Sequence, residues 1–305
     1  KNEAVPVLLD GLKRLEYRGY DSAGVTVNKG GKLFTCKMEG RLVKVEAALK
    51  AKPISGHIGI GHTRWATHGR PSDRNAHPHQ DCSKKFSVVH NGIIENYLEL
   101  KKELQKKGHI FSSETDTEVL SHLIEEFYQG DLAGAVREAI KKVDGAYAVA
   151  ALAEDHPHQF VVARKSSPLI VGLGDGENFA ASDIPAILPY TREIIILEDG
   201  EMAVVRADNV QVTDFSGKII DKEPSYVQWD LEAAEKGGYE DYMLKEIHEQ
   251  PRAIWDTLVG KIDRTAKKVT FPEVKMTPEF IKNLKKIHVV ACGTAYHAGL
   301  VGKYL

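Results

Sequence analysis

The sequence predicts an α+β fold in which two β-sheets lie between outer layers of helices, as a four-layer αββα sandwich. Segments with apolar residues at helical spacing alternate with short apolar runs, and from residue 146 to residue 213 such runs follow one another closely. Closely spaced short strands favour antiparallel sheets, and amphipathic helices need an apolar face on which to pack. A strand, glycine and helix near residue 293 predict the start of a further α/β unit.

The helices follow from apolar residues that recur at helical spacing. Asn2 is expected to cap the first helix, whose apolar face includes Val5, Leu8 and Leu15. Residues 112–117 are expected to cap a later one. After the first, the predicted helices cover residues 41–49, 95–107, 119–127, 132–142, 239–258 (with a kink or a new start at Pro251), 280–285 and 296–305.

The strands follow from short apolar runs bounded by turn residues. Gly30 and Gly31 predict a hairpin between the first two. The predicted strands cover residues 23–27, 34–38, 58–61, 86–89, 146–152, 160–163, 169–172, 178–181, 194–197, 202–206, 210–213 and, as a buried strand, 287–291.

Composition and charge narrow the class of protein. The chain has 305 residues, 42% of them hydrophobic and 28% charged, which is ordinary for a globular protein with sizeable cores. A net charge of -2 argues against a nucleic-acid or membrane-surface partner. No apolar run is long enough for a membrane span. Cys36, Cys82 and Cys292 form no disulfide framework or paired metal site, so we expect a cytoplasmic protein.

The polar stretch from Gly61 to Glu95 is the candidate active site. The runs at 58–60 and 86–89 each lead directly into polar residues, which predicts that two strands deliver side chains to one rim. Arg64 offers five donors for a carboxylate, the hydroxyl of Thr67 and backbone amides near His68 add further donors, and Asp116 can pair with an ammonium group. These groups together describe an amino-acid pocket.

Asn91 and Gly92 supply what acyl chemistry needs. A side-chain amide next to a backbone N–H that a substrate can approach closely makes an oxyanion hole. The same dipeptide is also typical of a tight hairpin turn, and the residues alone leave both interpretations open.

Seven motifs resemble the glutamine:fructose-6-phosphate aminotransferase (isomerizing) family along essentially the whole chain, and the first five agree with it in order and spacing. They are Leu15–Gly24, Gly61–Gly69, Asn75–His79, His90–Asn96, Glu114–Glu118, Tyr242–Pro251 and Ala291–Gly299. The resemblance implies the N-terminal nucleophile hydrolase fold of class II glutamine amidotransferases. It also implies glutamine and fructose 6-phosphate as substrates, giving glucosamine 6-phosphate.

The resemblance assigns further residues to the glutamine pocket. It places His68 in the glutamine loop and His77 in the pocket wall, and it makes Trp65 a gate, although Trp65 is also compatible with a plain core aromatic. It favours Asp116 as the partner of the substrate ammonium over a helix cap. Arg18 either lines the pocket or forms an ion pair with Asp21 or Glu16.

The resemblance also implies a nucleophile that precedes Lys1. Family members begin with Cys-Gly-Ile-Val-Gly directly before the first helix, and the thiol attacks glutamine while the free α-amine of the same cysteine acts as the base. We therefore expect the given sequence to be incomplete at its N-terminus. A catalytically inactive glutamine-binding fragment is the alternative, and another class II amidotransferase, such as the phosphoribosyl-pyrophosphate enzyme, is a second.

The domain expectation is a glutaminase domain at 1–217, a linker at 218–238 and the beginning of a sugar-isomerase (SIS) domain at 239–305. In the last, the resemblance implies that Gly293 and Thr294 contact the sugar phosphate, at a helix N-terminus that presents unpaired N–H groups. No metal or organic cofactor is expected, because the histidines around His77 and His79 lack a zinc-type spacing and the carbonyl acceptor is already electrophilic. We expect a homodimer.

Overall fold

The structure is a computed structural model that describes residues 1–228, 239, 241–258, 261–263, 268–269, 277–291 and 293–304. Its contacts divide the chain into two units, Lys1–Glu235 and Lys236–Leu305.

Five helices and most of the strands of the first unit lie close to their predicted positions. The helices are α1 (Ala4–Leu15), α2 (Leu42–Ala51), α3 (Tyr97–Lys106), α4 (Glu118–Phe127) and α5 (Leu132–Ile140). The strands are β1 (Ser22–Asn28), β2 (Leu33–Glu39), β3 (Ile58–Arg64), β4 (His79–Gln80), β5 (Phe86–Ile94), β6 (Gly145–Ala153), β7 (Gln159–Lys165), β8 (Ile170–Leu173), β9 (Asn178–Ala181), β10 (Glu193–Ile196), β11 (Glu201–Arg206), β12 (Val210–Asp214) and β13 (Ser225–Tyr226).

The described strands of this unit form three antiparallel sheets. A six-stranded sheet has the order β12-β11-β7-β6-β5-β4, a three-stranded sheet the order β2-β1-β3, and a four-stranded sheet the order β13-β10-β8-β9. The hairpin between β1 and β2 turns at Gly30 and Gly31, both with positive φ, as predicted.

The alternating side chains of β6 show how the layers stack. Tyr147, Val149 and Ala151 belong to the core that helices α3 to α5 cover. Ala148 lies in the core shared with the four-stranded sheet, and Leu152 packs with Ile60 of the three-stranded sheet. Because successive strand residues point to opposite faces, the six-stranded sheet has helices on one face and the two smaller sheets on the other.

Helices α1 and α2 complete the fourth layer on the outside of the three-stranded sheet. Val25 and Val27 of β1 are fully buried beneath them, together with Val45 of α2. Each such side chain contributes roughly 1.5–3 kcal/mol when it leaves water. The αββα arrangement expected from the sequence is therefore present, and its second inner layer consists of two sheets side by side.

Two expected helix caps are wrong. The residue before α1 is Glu3, without a side-chain cap, and the amide of Asn2 donates instead to Glu177 at 2.7 Å. The N-cap of α4 is Thr117, also without a side-chain cap. Instead, the carboxylate of Glu118 accepts hydrogen bonds from the backbone and hydroxyl groups of residues 112 and 113, so a tertiary loop contact replaces the predicted cap.

The second unit contains helices α6 (Tyr242–Leu258), α7 (Pro278–Lys282) and α8 (Gly293–Gly302), with short strands β14 (Ile262–Asp263) and β15 (Lys268–Val269). Helix α6 continues through Pro251, where a kink or a new start was predicted. The buried strand predicted at 287–291 is wrong, because these residues have no regular structure and Val290 is 96% exposed. An isolated apolar run cannot form a strand without a neighbouring strand to pair with.

Part of the predicted linker lies outside the described residues, which stop at 228 before the second unit. Within the described part, Ser225 and Tyr226 pair with β10 as an edge strand of the four-stranded sheet. The described helices include none that is both long and apolar enough to cross a membrane.

Candidate active site

The ends of β3 and β5 meet at one rim, as the sequence predicted. Ile60 of β3 packs against Val89 of β5 in the core between the two sheets. From there β3 continues to Arg64, and β5 continues beyond its predicted end through Asn91 and Gly92. The polar ends of the two strands therefore lie side by side above a shared apolar base.

A cavity of about 480 Å³ opens at this rim. Its wall contains Arg64, Trp65, Thr67, His77, Asn91, Gly92 and Asp116. Of the residues predicted for the glutamine pocket, His68 does not line it, although its ring contacts Tyr97 with centroids 5.0 Å apart. Residues distant in sequence thus converge on a space large enough for an amino acid.

Arg64 is the buried cation of the cavity. One of its terminal nitrogens donates to the backbone carbonyls of His68 and Gly69, the latter at 2.8 Å, and so it shapes the loop that carries Thr67. The other terminal nitrogen is buried without a hydrogen-bond partner and lies 3.8 Å from Asp21. Burial lowers the pKa of Arg64, while the carboxylates of Asp21 and Asp116 oppose that change. The unsatisfied N–H groups suit an added carboxylate.

Asp116 is a buried anion in the same wall. Its Oδ2 accepts a hydrogen bond of 2.9 Å from the amide of Ile94 on β5 and lies 4.0 Å from Nδ1 of His68. The carboxylate therefore makes a tertiary contact to the strand, whereas the alternative from the sequence was a cap of α4. Opposite charges on Arg64 and Asp116 match the two charged ends of an α-amino acid.

Asn91 and Gly92 lie within β5, so the hairpin-turn interpretation is wrong. They pair with Ala148 and Tyr147 of β6. Gly92 has φ +127°, and a Cβ there would lie 2.0 Å from the carbonyl oxygen of Ala146. Only glycine fits the backbone conformation at this position. Because glycine has no side chain, the backbone N–H of Gly92 stays open to the cavity.

A buried hydrogen-bond network that the sequence does not predict lies behind these groups. The hydroxyl of Thr117 bridges Nε2 of His77 and Nδ1 of His90, each at 2.9 Å, and Nε2 of His62 lies 2.8 Å from Oδ1 of Asn91. Burial lowers the pKa of His62 to about 4. The motifs that contain these residues were recognised, but the pairing between motifs has no signal in a single sequence.

Lys37 is a second residue that was missed. Its ammonium donates to the carbonyls of Ala76 at 2.7 Å and Pro78 at 3.0 Å, on either side of His77. Burial lowers the pKa of Lys37 to about 8. In the sequence, a lysine that makes these two hydrogen bonds looks the same as a lysine that points to solvent from an alternating strand.

The remaining candidates are placed as follows. Trp65 is 63% exposed and meets Tyr20 edge to face at 5.7 Å, so the core-aromatic interpretation is wrong. Arg18 lies in the 3₁₀ turn Glu16–Arg18, and its side chain lies outside the described residues. In the second unit, Gly293 begins α8, whereas Cys292 and the side chain of Thr294 lie outside the described part.

Comparison with known proteins matches residues 62–189 to the glutamine amidotransferase domain family. Among curated relatives, the glutamine–fructose-6-phosphate aminotransferase (isomerizing) of Symbiobacterium thermophilum is 53% identical over 305 residues, which are 100% of this chain and 50% of the relative. The enzyme of the same name from Aquifex aeolicus is 53% identical over 301 residues, 99% of this chain and 49% of the relative. The chain spans about half the length of the curated relatives it matches.

Solved structures give the same picture of the fold. The glutamine phosphoribosylpyrophosphate amidotransferase of B. subtilis, complexed with ADP and GMP, superposes with a TM-score of 0.60 and 28% identity, over 70% of this chain and 47% of that one. A structure described as the allosteric regulatory enzyme of purine biosynthesis gives a TM-score of 0.61 at 28% identity, with the same 70% and 47% coverage. The αββα unit thus has the N-terminal nucleophile type of fold expected for class II glutamine amidotransferases.

Three polar residues of the cavity wall, Arg64, Asn91 and Asp116, fall in the matched region between residues 62 and 189. The resemblance inferred from the motifs is confirmed. Residues 62–189 form a glutamine amidotransferase domain, in a chain related over its whole length to the glutamine–fructose-6-phosphate aminotransferases.

Proposed function

We propose that this cavity binds glutamine and is the site at which glutamine is hydrolysed to glutamate and ammonia. The observation that carries the proposal is the single cavity that joins a buried guanidinium, a buried carboxylate and the Asn91–Gly92 pair. The first two groups recognise the α-amino acid end of a substrate, and the pair stabilises charge on its reacting carbonyl. The nucleophile and the sugar chemistry are the two features that rest on the relatives alone.

Glutamine is held at its two charged groups. The free N–H of Arg64, with the hydroxyl of Thr67, donates to the α-carboxylate, and Asp116 accepts from the α-ammonium. His68, which lies 4.0 Å from Asp116, supports that carboxylate from outside the cavity. Trp65 at the open side and His77 in the wall limit the space left for the side chain.

The chemical step uses the N-terminal cysteine that the resemblance places before Lys1. Its thiol loses a proton to its own α-amine, and the sulfur attacks the side-chain amide carbon of glutamine. The oxyanion accepts hydrogen bonds from the amide of Asn91 and the backbone N–H of Gly92. The C–N bond breaks, the protonated amine returns its proton to the leaving group as ammonia is released, and water then cleaves the thioester to give glutamate.

The family name of the relatives supports the use of the ammonia on fructose 6-phosphate, giving glucosamine 6-phosphate. In this proposal the sugar phosphate contacts Gly293 and Thr294 at the start of α8, where unpaired backbone N–H groups attract an anion. A homodimer and a cytoplasmic location stay predictions. Light scattering of the intact protein measures its molar mass and so checks the homodimer.

A phosphoribosyl-pyrophosphate amidotransferase is the rival enzyme, because a solved structure of that name superposes on this chain. The curated relatives that match the whole chain favour the aminosugar enzyme instead. The experiment measures glutamate release from glutamine by the intact protein, whose N-terminal residue is first determined by sequencing. Fructose 6-phosphate and phosphoribosyl pyrophosphate are then compared as ammonia acceptors.

Glutamate release that disappears when the N-terminal cysteine is replaced by alanine supports the glutaminase, and amino sugar formed from fructose 6-phosphate supports the acceptor. A protein that begins with cysteine but releases no glutamate contradicts the proposed hydrolysis. Calorimetric binding of glutamine without turnover would leave the non-enzymatic alternative, a glutamine-binding module.

A further inference from the structure

A second group of chemically suited side chains lies outside the cavity, on the opposite side of the six-stranded sheet. Cys82 lies in the connection between β4 and β5, His109 in the connection between α3 and α4, and His122 and Glu125 on one face of α4. One sulfur, one nitrogen from each histidine and one carboxylate oxygen all lie within 4.8 Å of one another. Three separate segments therefore direct ligand atoms at one point.

Four of the six distances among these ligand atoms are close to the edges of a zinc tetrahedron. The sulfur of Cys82 lies 3.8 Å from Nδ1 of His109 and 3.7 Å from Nδ1 of His122. Oε2 of Glu125 lies 2.9 Å and 3.3 Å from the same two nitrogens. A zinc ion about 2.0–2.3 Å from each of its ligands sets tetrahedral ligand atoms roughly 3.3–3.8 Å apart, and these four values lie within half an ångström of that range.

The far side of each imidazole is occupied by a carboxylate. Nε2 of His109 lies 3.1 Å from Glu126, at hydrogen-bond distance, whereas Nε2 of His122 lies 3.8 Å from Glu118 and makes no hydrogen bond. A neutral imidazole carries one proton, and a proton on Nε2 leaves the lone pair of Nδ1 for the centre of the group. Carboxylates behind histidine ligands are the usual outer partners of a protein zinc site.

The cysteine has a matching environment. The backbone amide of Ile110 lies 3.3 Å from its sulfur and donates to it. His122 is fully buried and packs on the ring of Phe111 at 4.4 Å, whereas Cys82 is exposed. The group thus has a rigid inner side and an outer side through which a cation can enter.

From these observations we propose that Cys82, His109, His122 and Glu125 bind one zinc ion. Sulfur, two imidazole nitrogens and one carboxylate oxygen are a ligand set that zinc accepts, and four protein ligands leave no open position for a substrate. The site is therefore structural. It fastens the β4–β5 connection and the α3–α4 connection to helix α4.

The sequence expectation of no metal site was based on the histidines near His77 and on the absence of paired cysteines. The four ligands of this group are separated by 26, 12 and 2 intervening residues, a pattern that matches no short motif. Only the fold brings Cys82 to the later residues. A hydrogen-bonded cluster without metal is the competing interpretation, in which the thiol lies at hydrogen-bond distance for sulfur, 3.7–3.8 Å, from two ring nitrogens.

The experiment measures zinc in the 305-residue chain, purified without a histidine tag and with a reductant that contains no thiol. Zinc per chain is determined by mass spectrometry after gel filtration, and its affinity by competition with a chromophoric chelator. The variants are Cys82→Ser and His122→Gln. Cys36→Ser is the matched control, because Cys36 is the other described free cysteine and lies on β2. Circular dichroism verifies that each variant is folded.

We expect a zinc content of about one ion per chain in the unmodified protein and in Cys36→Ser. It expects the zinc affinity of Cys82→Ser to fall by more than the roughly 100-fold that loss of an outer partner costs. Cobalt in place of zinc should give a thiolate-to-metal charge-transfer band that Cys82→Ser lacks. Zinc well below one per chain after reconstitution, or equal zinc affinity in Cys82→Ser and Cys36→Ser, overturns the proposal.

Discussion

Nε2 of His62 lies 2.8 Å from Oδ1 of Asn91 and links the end of β3 to the end of β5. Nδ1 of His62 is buried without a hydrogen-bond partner, and burial lowers the pKa of the ring to about 4. The neutral ring therefore carries its proton on Nε2 and donates it to the amide oxygen. This fixes which way the amide of Asn91 points, and its NH₂ group is left for the cavity.

Replacing Asn91 by alanine should lower kcat for glutamate release by about 100-fold to 1,000-fold, the usual cost of one oxyanion-hole donor. KM for glutamine should change little, because this donor acts on charge that develops in the transition state. His62→Ala should lower kcat by a smaller factor, because the amide remains but loses its orientation. Steady-state kinetics of the intact protein checks both. A rise in KM with unchanged kcat would assign Asn91 to ground-state binding instead.

Replacing Asp116 by asparagine should weaken glutamine binding by roughly 30-fold or more, since it removes the proposed buried partner of the α-ammonium. Asparagine still offers an oxygen to the amide of Ile94, so the fold should be retained. Calorimetry with glutamine measures the change without any need for turnover. Glu138→Gln on α5 is the control, because its carboxylate pairs with Lys141 and does not line the cavity. Equal affinity in both variants would exclude Asp116 from the binding site.

Gly92→Ala should destabilise the fold by at least about 2 kcal/mol more than Gly108→Ala. Both glycines have positive φ, +127° and +99°, so both variants carry backbone strain. An added Cβ at Gly92 also meets the carbonyl of Ala146 at 2.0 Å, whereas nothing lies within 4 Å of one at Gly108. Urea unfolding of the two variants gives the comparison. Similar losses of unfolding free energy would mean that β5 can move away from β6 at low cost.

Much of this fold could be predicted because its signals are local. The helix at 119–127 and the strand at 178–181 needed only apolar spacing and turn residues to be placed within a residue of α4 and β9. The predicted strand at 86–89 stopped short because the polar residues Asn91 and Gly92 end the apolar pattern, although β6 supplies a pairing partner as far as Ile94. Backbone pairing with a distant strand overrides side-chain polarity there.

The site residues that belong to the sequence motifs could be predicted. Arg64 and Asp116 were chosen for their charge, and the fold brings them to one cavity. Thr117 was not chosen, because a threonine at a helix start usually serves that helix, whereas here it bridges two histidines from other segments. Such tertiary hydrogen bonds have no periodicity and no fixed spacing, so a single sequence does not reveal them.

Stability should fall as the pH is lowered from about 6.5 to about 4. Burial lowers the pKa of His62 to about 4, and it also lowers the pKa values of His77, His79 and His90. In this window the unfolded chain binds protons that the folded chain excludes, so protonation favours unfolding. At about 1.36 kcal/mol per pH unit, His62 alone contributes roughly 3 kcal/mol across its window. Urea unfolding at several pH values measures the slope, and His62→Asn should reduce proton uptake on unfolding by about one. A slope that is flat between these pH values would show that the histidines are already charged in the folded protein.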